Sequence, residues 1–457
     1  MSGCHAGRLK IEVTVESIEN TRVGATARLN RLPITSFHLE ITWILGFVVF
    51  FDFADTNTFS FAAPAILKAW NLSISTIAFV VAATFLGMFI GATAGGWVSD
   101  RIGRKKALII TTLIYAVFSL LSAFVSGITS LFLTRLFTGV GISAMTVVGM
   151  TYISEMFPAK HRGAYQGWVM TIGLCGIPVT AYMSRFCVPL APWGWRLVFV
   201  WGSLGILFAF LAARLEESPR WYESQGRLAE AEETLDRIEA RVRSKTGDLP
   251  PVPESIPERL RRSRYSEVVA PRYLPRTSVL AMAWICQTLG FFGFTAWVPT
   301  LLVAHGFSMV HSLAWSSAMS IATVPGALIA ALISDHWDRK WWITIVALLI
   351  AFCGLMYGLT FQALTIVIFG FLVELFLHTL NPLLYAYTAE CYPTEIRNSG
   401  AGLTYGAGRL ANACGPLIVA FWFDHYGYTS VFIYITITWL LVAVVIGGFG
   451  LRSREMV

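Results

Sequence analysis

The sequence predicts an all-α membrane protein in which twelve transmembrane helices form two pseudo-symmetric six-helix bundles. Of its 457 residues, 56% are hydrophobic and only 13% are charged, with a mean hydropathy of +0.63. Because a soluble domain carries roughly 25% charged residues, this chain has too little polar surface to fold in water. Twelve apolar runs approach the length of about 20 residues that spans a bilayer, and one set of charged residues occurs twice.

The predicted helices follow the apolar runs in order. The runs occupy residues 41–66, 75–98, 106–125, 129–152, 163–185, 195–213, 278–303, 312–333, 341–360, 363–388, 399–421 and 429–450. A stretch rich in Pro, Glu and Arg separates the first six runs from the last six. The predicted domains are an N-terminal tail (1–40), a first bundle (41–213), a linker (214–277), a second bundle (278–451) and a C-terminal tail (452–457).

The repeat is visible in the charged residues between the runs. Five residues of the first half recur in the second with one common shift of 235 positions. They are Asp100, Arg104, Glu155, Pro158 and Arg162, followed by Asp335, Arg339, Glu390, Pro393 and Arg397. A single shift for all five residues is hard to attribute to chance, so the pattern indicates a duplicated unit.

The distribution of basic residues predicts that both termini are cytoplasmic. With the N-terminus inside, all but five of the 34 Lys and Arg residues lie in cytoplasmic segments, as the positive-inside rule requires. We expect a monomer in a bacterial inner membrane. Its net charge of +7 is explained by this topology and by contact with acidic lipid, so no nucleic-acid partner is expected.

The linker is predicted to contain an amphipathic helix, since apolar residues recur at helical spacing over residues 226–245. The seven cysteines show no metal-ligand spacing, so no disulfide and no metal site is expected. No Walker loop is present, which excludes ATP-driven transport by this chain. No cofactor is expected, apart from a proton as coupling ion.

Several motifs resemble those of the major facilitator superfamily of transporters over about residues 40 to 452. The motifs are Gly96-x-x-x-Asp100-Arg101-x-Gly103-Arg104-Lys105, Arg135-x-x-x-Gly139-x-Gly141, Glu155-x-x-Pro158-x-x-x-Arg162-Gly163 and Glu217-Ser218-Pro219-Arg220. The last two are similar to the sugar-porter branch and its organic-ion relatives. The second copy of the first loop departs from the pattern, with Asp338 where Gly103 stands, and is expected to turn less tightly.

The resemblance implies a secondary transporter, not an enzyme, whose charged cytoplasmic loops form a gate between the bundles. Ion pairs there would hold the bundles together in one access state and break in the other. The predicted gate residues are Asp100, Arg101, Arg104, Glu155, Arg162, Glu217, Arg220, Asp335, Arg339, Glu390 and Arg397. The alternative is that these charged residues only set the orientation of the chain in the membrane and have no switching role. This alternative does not explain why the acidic residues are repeated.

Two acids in the first apolar run are the predicted proton-coupling residues. A charge at the centre of a membrane helix costs on the order of 2.5–3.5 kcal/mol, so Asp52 and Asp55 need partners, and Arg135 on the fourth helix is the expected counter-charge. In the resembled branch, an acid at the position of Asp55 couples to this arginine and carries the proton. The alternative is a static salt bridge, and the role of Asp52 is left open.

The predicted solute site lies in the second half of the chain. Arg409 is expected to anchor a carboxylate, the alternative being a partner for Glu374. Where sugar porters usually show a Gln-Gln pair and a nearby Asn, the seventh helix has a single Gln287 among aromatic residues. The other candidates are Phe291, Phe294, Trp297, Trp168, Tyr182, Tyr385 and Tyr405, with a polar stripe of Glu374, His378 and Asn381 on the tenth helix.

This seventh helix argues against a sugar and is similar to that of metabolite:proton symporters, including bacterial niacin transporters and carriers of aromatic acids. The sequence therefore predicts a secondary active transporter that imports a small organic acid, such as nicotinate, by proton symport. The alternatives are a sugar or polyol symporter, an organic-cation or drug transporter that uses Asp52 and Asp55, and a non-transporting receptor on the same fold.

Overall fold

The computed structural model describes residues 24–252, 265–334, 336–393 and 396–452. All regular structure in these residues is helical. The expectations for Asp335 and for most of the N-terminal tail lie outside the described residues.

The first group of helices forms one bundle. It consists of α1 (Ala25–Asn30), α2 (Ser36–Trp70), α3 (Ile74–Ile102), α4 (Arg104–Ser122), α5 (Ile128–Met156), α6 (Ala159–Leu174), α7 (Gly176–Cys187), α8 (Trp195–Ser203) and α9 (Ile206–Ala212). Helices α6 and α7 together make the fifth span, and α8 and α9 make the sixth. The linker follows, with α10 (Pro219–Ser224) and α11 (Leu228–Thr246), the latter at the position predicted for an amphipathic helix.

The second group forms the other bundle. It consists of α12 (Tyr265–Val268), α13 (Leu274–Thr295), α14 (Val298–Ala304), α15 (Met309–Ser320), α16 (Thr323–Ile333), α17 (Arg339–Leu359), α18 (Ala363–Glu390), α19 (Arg397–Tyr426) and α20 (Tyr428–Phe449). Eleven segments of the described chain are long and apolar enough to cross a membrane. Helix α19 is the twelfth span, and its glycines, Arg409 and Asn412 explain its weaker hydropathy. The predicted all-α fold with twelve spans is confirmed.

Helix α2 is longer than predicted. It begins at Ser36 rather than at residue 41 and runs for 35 residues, more than a bilayer requires. At its start, the Nδ1 atom of His38 accepts a hydrogen bond from the backbone N–H of Thr35 at 3.3 Å. At its end, Asn71 adopts a left-handed conformation with φ 48°, which Asn tolerates better than most residues and which stops the helix.

The short helix α1 docks on the linker, an arrangement that the sequence did not predict. Arg28 contacts Glu239 at 2.9 Å and Asp236 at 2.6 Å, while Arg31 contacts Glu239 at 2.8 Å. Burial raises the pKa of Glu239, but the two arginines outweigh burial and leave this pKa below its ordinary value. Residues 24–31 are therefore tied to the same face of the first bundle as the linker, which we call the linker face.

The two bundles pack on each other most extensively through α3 and α19, and further contacts lie on the face opposite the linker. There the Ser317 hydroxyl of α15 donates to the Ala181 carbonyl of α7 at 2.9 Å, and Ser75 donates to the carboxylate of Asp424. Helix α14 also packs on α2. Helices α6 and α16, which lie nearer the linker, pack more loosely against each other. The bundles are thus closed on the opposite face.

Near the linker face, parts of α6 and α19 border open space. A Cβ atom built on any of four glycines would meet no atom within 4 Å: Gly163 and Gly167 on α6, and Gly402 and Gly406 on α19. Such small residues allow close approach of helices, but no neighbour occupies the space here. Together with the loose packing of α6 against α16, these uncovered glycines indicate room between the bundles on the linker side.

Candidate functional site

A buried ion pair joins α2 to α5. The Asp55 carboxylate accepts a hydrogen bond from the Arg135 guanidinium at 3.0 Å, and their side chains are 0% and 1% exposed. The other Asp55 oxygen accepts from the Ser119 hydroxyl of α4. Arg135 also donates to Thr58 at 3.3 Å and lies over the ring of Phe199. The pairing that the sequence predicted is present, and both carboxylate oxygens of Asp55 are satisfied.

Asp52 lies one turn earlier on α2 in a different environment. One of its oxygens accepts a hydrogen bond from the Thr146 hydroxyl of α5 at 2.9 Å. The other oxygen is buried and has no hydrogen-bond partner within the described chain. Asp52 is attracted electrostatically to Arg409, which belongs to the other bundle. The carboxylate therefore has unused hydrogen-bonding capacity and is under the influence of a charge from the second bundle.

Arg409 is held beside an aromatic wall built by three helices. Its Nε atom donates to the Tyr405 hydroxyl one turn earlier on α19, and its guanidinium lies 4.9 Å from the centre of that ring. Tyr385 of α18 lies 5.2 Å from Tyr405, and Trp284 of α13 contacts both tyrosines at 4.6 and 5.0 Å between ring centres. The Trp284 indole donates to Thr388 at 3.0 Å, which fixes the orientation of the wall.

Within the polar stripe on α18, the side chain of His378 contacts Glu374 of the same helix. The Nδ1 atom of His378 lies 2.9 Å from the Glu374 carbonyl and 3.4 Å from the Glu374 carboxylate. The His378 ring also packs against Phe291 of α13, with 5.5 Å between ring centres. Glu374 therefore contacts His378 on its own helix, and Arg409 contacts Tyr405 on its own helix. Asn381 follows on the same helical stripe and is half-buried.

The remaining predicted residues of α13 and its neighbour lie in the core of the second bundle. Phe294 packs against Tyr357 and Phe432 at 5.2 and 6.2 Å between ring centres, and Trp297 is fully buried. Gln287 is also buried and accepts a hydrogen bond from Thr288 at 3.2 Å. Phe294 and Trp297 therefore pack in the core of the second bundle and do not contribute to the aromatic wall beside Arg409.

Two predicted aromatics of the first bundle lie apart from the Arg409 cluster. Trp168 on α6 is 61% exposed. Tyr182 on α7 lines an apolar groove of about 310 Å³ together with Pro178, Val179 and Phe186. The structure does not bring either residue to the aromatic wall.

Four residues of this region were missed by sequence reasoning: Ser119, Thr146, Trp284 and Asn412. Thr146 follows Arg135 by eleven residues, or about three helical turns, so helical spacing alone could have placed it on the same face of α5. Asn412 lies one turn from Arg409, is buried, and has no partner for either end of its amide among the described residues. Hydroxyl, amide and aromatic side chains are all common in the helices of this chain, so residue type gave no signal.

The first gate loop is built around Arg104. Its guanidinium contacts Glu155 at 2.9 Å and Asp100 at 2.7 Å. The Glu217 carboxylate accepts from the backbone N–H groups of Arg104 at 2.8 Å and Lys105 at 3.0 Å, and so caps the start of α4. Gly103 stands at φ 99°, and a Cβ at this position would collide with Glu217. The glycine of this motif is therefore required by both the backbone and the cap.

The second gate loop repeats the ion pair with a different cap. Arg339 pairs with Glu390, and the two residues are 51 positions apart, as are Arg104 and Glu155. Asp338, which replaces the glycine, has φ −61° and accepts a hydrogen bond from the N–H of Lys340 at 3.1 Å. It caps α17 with its own side chain, so this loop does not need the positive φ of the first.

The other gate residues are less fully paired. Burial, together with the charge of Arg162, lowers the pKa of Arg220, whose guanidinium has buried nitrogens without a partner in the described chain. Arg101 lies over Trp97, and Arg397 approaches the Tyr392 carbonyl at 3.4 Å. The ion pairs found at Arg104 and Arg339 each stay within one half of the molecule, in agreement with the space between the bundles on the linker side.

Comparisons with known proteins agree with this arrangement. A family model described as "Major Facilitator Superfamily" matches residues 45–365 and 313–455. A protein of Bacillus subtilis called "Putative metabolite transport protein YyaJ" is 44% identical over 93% of this chain and 95% of its own. The niacin transporter NiaP of Acinetobacter baylyi is 29% identical over 94% and 97%. A crystal structure of a D-xylose-proton symporter covers 91% of this chain and 99% of its own, with 19% identity and a TM-score of 0.74.

Proposed function

The chain belongs to the Major Facilitator Superfamily, and we propose that it imports a small aromatic carboxylic acid, such as nicotinate, by proton symport. Like its relatives, it is a multi-pass membrane transporter of small molecules and not an enzyme.

The arrangement around Arg409 carries the proposal. A guanidinium presents its N–H donors as a planar fork that matches a carboxylate, and aromatic rings bind a flat ring by stacking. Arg409 lies beside the wall of Tyr405, Tyr385 and Trp284, and Tyr385 is 44% exposed although it lies within a membrane helix. An aromatic acid would place its carboxylate on Arg409 and its ring against the wall.

The rival solutes fit these surroundings less well. A sugar needs several hydroxyl and amide partners, whereas the wall offers mainly aromatic faces. An organic cation would have to bind near Asp52 while Arg409 lies close enough to attract the same carboxylate. The relationship to a niacin transporter supports an aromatic acid, since niacin is one.

We propose that the linker face is cytoplasmic, with both termini inside a bacterial inner membrane. In that orientation the bundles are closed toward the outside and separated toward the cytoplasm, which is an inward-facing state. Alternating access would then require the gate loops around Arg104 and Arg339 to meet when the bundles close on the linker side. One chain supplies every residue of the proposed site, so a monomer suffices.

Thermal-shift binding with purified protein tests the proposed solute. We expect nicotinate or benzoate to raise the Tm, while xylose and tetraethylammonium do not. Arg409→Gln should abolish the shift by acids, because it removes the cation that holds the carboxylate. Arg185→Gln, which changes an exposed arginine at the end of α7, is the matched control and should keep the shift.

Two results would contradict this assignment. Stabilisation by the organic cation or the sugar alone would reject an acid as the solute. A normal shift by acids in the Arg409→Gln variant would return Arg409 to a structural role.

A further inference from the structure

We infer that Asp52, rather than Asp55, carries the coupling proton, and that binding of the solute carboxylate to Arg409 is what frees Asp52 to take it. The inference rests on the proposed function, because it needs an anionic solute at Arg409. It departs from the expectation drawn from the sequence, which assigned the proton to Asp55.

Asp55 is poorly placed to change its protonation state. Both of its oxygens are occupied, by Arg135 and by Ser119, and the pair is almost fully buried. Protonating Asp55 would leave Arg135 as a buried cation with only Thr58 and the face of Phe199 nearby. Losing one partner leaves an uncompensated buried charge, which is strongly destabilising, so this pair is better suited to hold α2 against α5.

Asp52 has the properties that Asp55 lacks. It has a single hydrogen bond, from Thr146, and one oxygen without a partner in the described part of the chain. The charged and titratable groups that act on it are Asp55 on its own helix, Arg409 on α19, and Tyr115 on α4, whose hydroxyl senses both acids. Its favourable counter-charge therefore comes from the other bundle, from the same arginine that would bind the solute carboxylate.

Asp52 and the solute carboxylate compete for the charge of Arg409, and this competition couples solute binding to proton uptake. In the empty transporter, Asp52 and Arg409 attract each other. When a solute carboxylate binds Arg409, it neutralises the charge that favours the Asp52 anion and adds a second negative charge nearby. Asp52 then takes a proton from the side to which the site is open, forming one O–H bond, and that bond breaks again after the solute leaves on the other side. One proton and one monoanion cross together, so the cycle moves no net charge.

The pairing also explains why an empty transporter would not leak protons. Without solute, the positive charge of Arg409 favours the Asp52 anion, and the bundles then change position with the two charges compensating each other. The two residues belong to different bundles, so their attraction also differs between access states. A group whose interactions differ between two states shifts the equilibrium between them.

Proton uptake on solute binding tests the inference directly. Nicotinate is added to purified protein in weakly buffered solution near neutral pH, and protons and bound solute are both counted. The wild type should take up one proton for each solute bound. Asp52→Asn should bind nicotinate with no proton uptake, whereas Asp55→Asn is the matched variant in which, if it folds, uptake should persist.

Transport in proteoliposomes provides a second readout. Asp52→Asn should keep exchange of preloaded solute but lose accumulation driven by a pH gradient. Proton uptake by Asp52→Asn equal to the wild type, or unchanged uphill transport, would overturn the inference. If the wild type binds no aromatic acid at all, the proposed function fails instead, so the two failures are distinguishable.

Discussion

Asn412 shows how a single buried side chain can separate stability from function. Its amide is buried with neither end paired in the described structure, and a buried unsatisfied polar group costs about 1–3 kcal/mol. We therefore expect Asn412→Leu, a change of similar volume, to raise the Tm of the solute-free protein. Because Asn412 lies one turn from Arg409, the same change should weaken binding of an aromatic acid.

The control for this prediction is Asn57→Leu. The Asn57 amide donates to the Phe53 carbonyl at 2.8 Å, so its loss should not raise the Tm. A lower Tm in Asn412→Leu with unchanged solute binding would show that the amide has partners we have not identified and no role in the site.

The residues that could be predicted from the sequence are those whose chemistry is costly in a membrane. Asp55 and Arg135 stood out because a charge within an apolar run demands a partner, and the structure pairs them. Trp284 and Phe294 could not be sorted in the same way. Both are aromatic residues on one helix, and which of them faces Arg409 depends on how α13 is rotated against α18 and α19.

At the scale of elements, the two gate loops start their helices by different means. In the first loop, Glu217 of the linker caps α4 across Gly103, and in the second, Asp338 caps α17 itself. Gly103→Ala should therefore destabilise the protein. Alanine at this positive φ should cost about 1–2 kcal/mol, and displacement of the Glu217 carboxylate from the start of α4 should add to that cost. Gly103→Ala should also raise hydrogen exchange in residues 216–224.

The matched variant is Asp338→Ala, which removes a cap worth about 1 kcal/mol but leaves the linker untouched. It should lower the Tm without changing exchange in residues 216–224. If hydrogen exchange in residues 216–224 of Gly103→Ala were the same as in the wild type, Glu217 would not attach the linker to the loop.

The docking of α1 on the linker should depend on pH. The folded pKa of Glu239 lies below its ordinary value of 4.5, because the contacts from Arg28 and Arg31 outweigh burial. The stabilisation by Glu239 is therefore complete above about pH 4.5 and is lost as the pH falls further, through the folded pKa. Glu239→Gln should lower the Tm at pH 7. The difference in Tm between this variant and the wild type should become smaller below pH 4.5.

Glu233→Gln is the control for this pH dependence. Glu233 pairs with Arg237 on the exposed surface of α11, where an ion pair contributes little. The Tm of Glu233→Gln should match that of the wild type both at pH 7 and below pH 4.5. An effect of Glu239→Gln that persists unchanged at low pH would mean that packing, not charge, holds α1 in place.

At the scale of the whole molecule, the repeat was the feature most fully contained in the sequence. The shift that relates Arg104 and Glu155 to Arg339 and Glu390 reappears as two ion pairs, one in each bundle. The access state could not be predicted, because it depends on which ends of the bundles pack together. The helix α1 was also missed, since its six residues are too few to produce a periodic pattern.

Uptake of nicotinate into proteoliposomes tests the central claim most directly. With the outside acidic, we expect accumulation above equilibrium that follows the pH gradient and does not respond to a membrane potential imposed by potassium and valinomycin, because one proton and one monoanion carry no net charge. Arg409→Gln should show no uptake. Failure to accumulate any aromatic acid under a pH gradient, with uptake of xylose or of an organic cation in its place, would contradict the account.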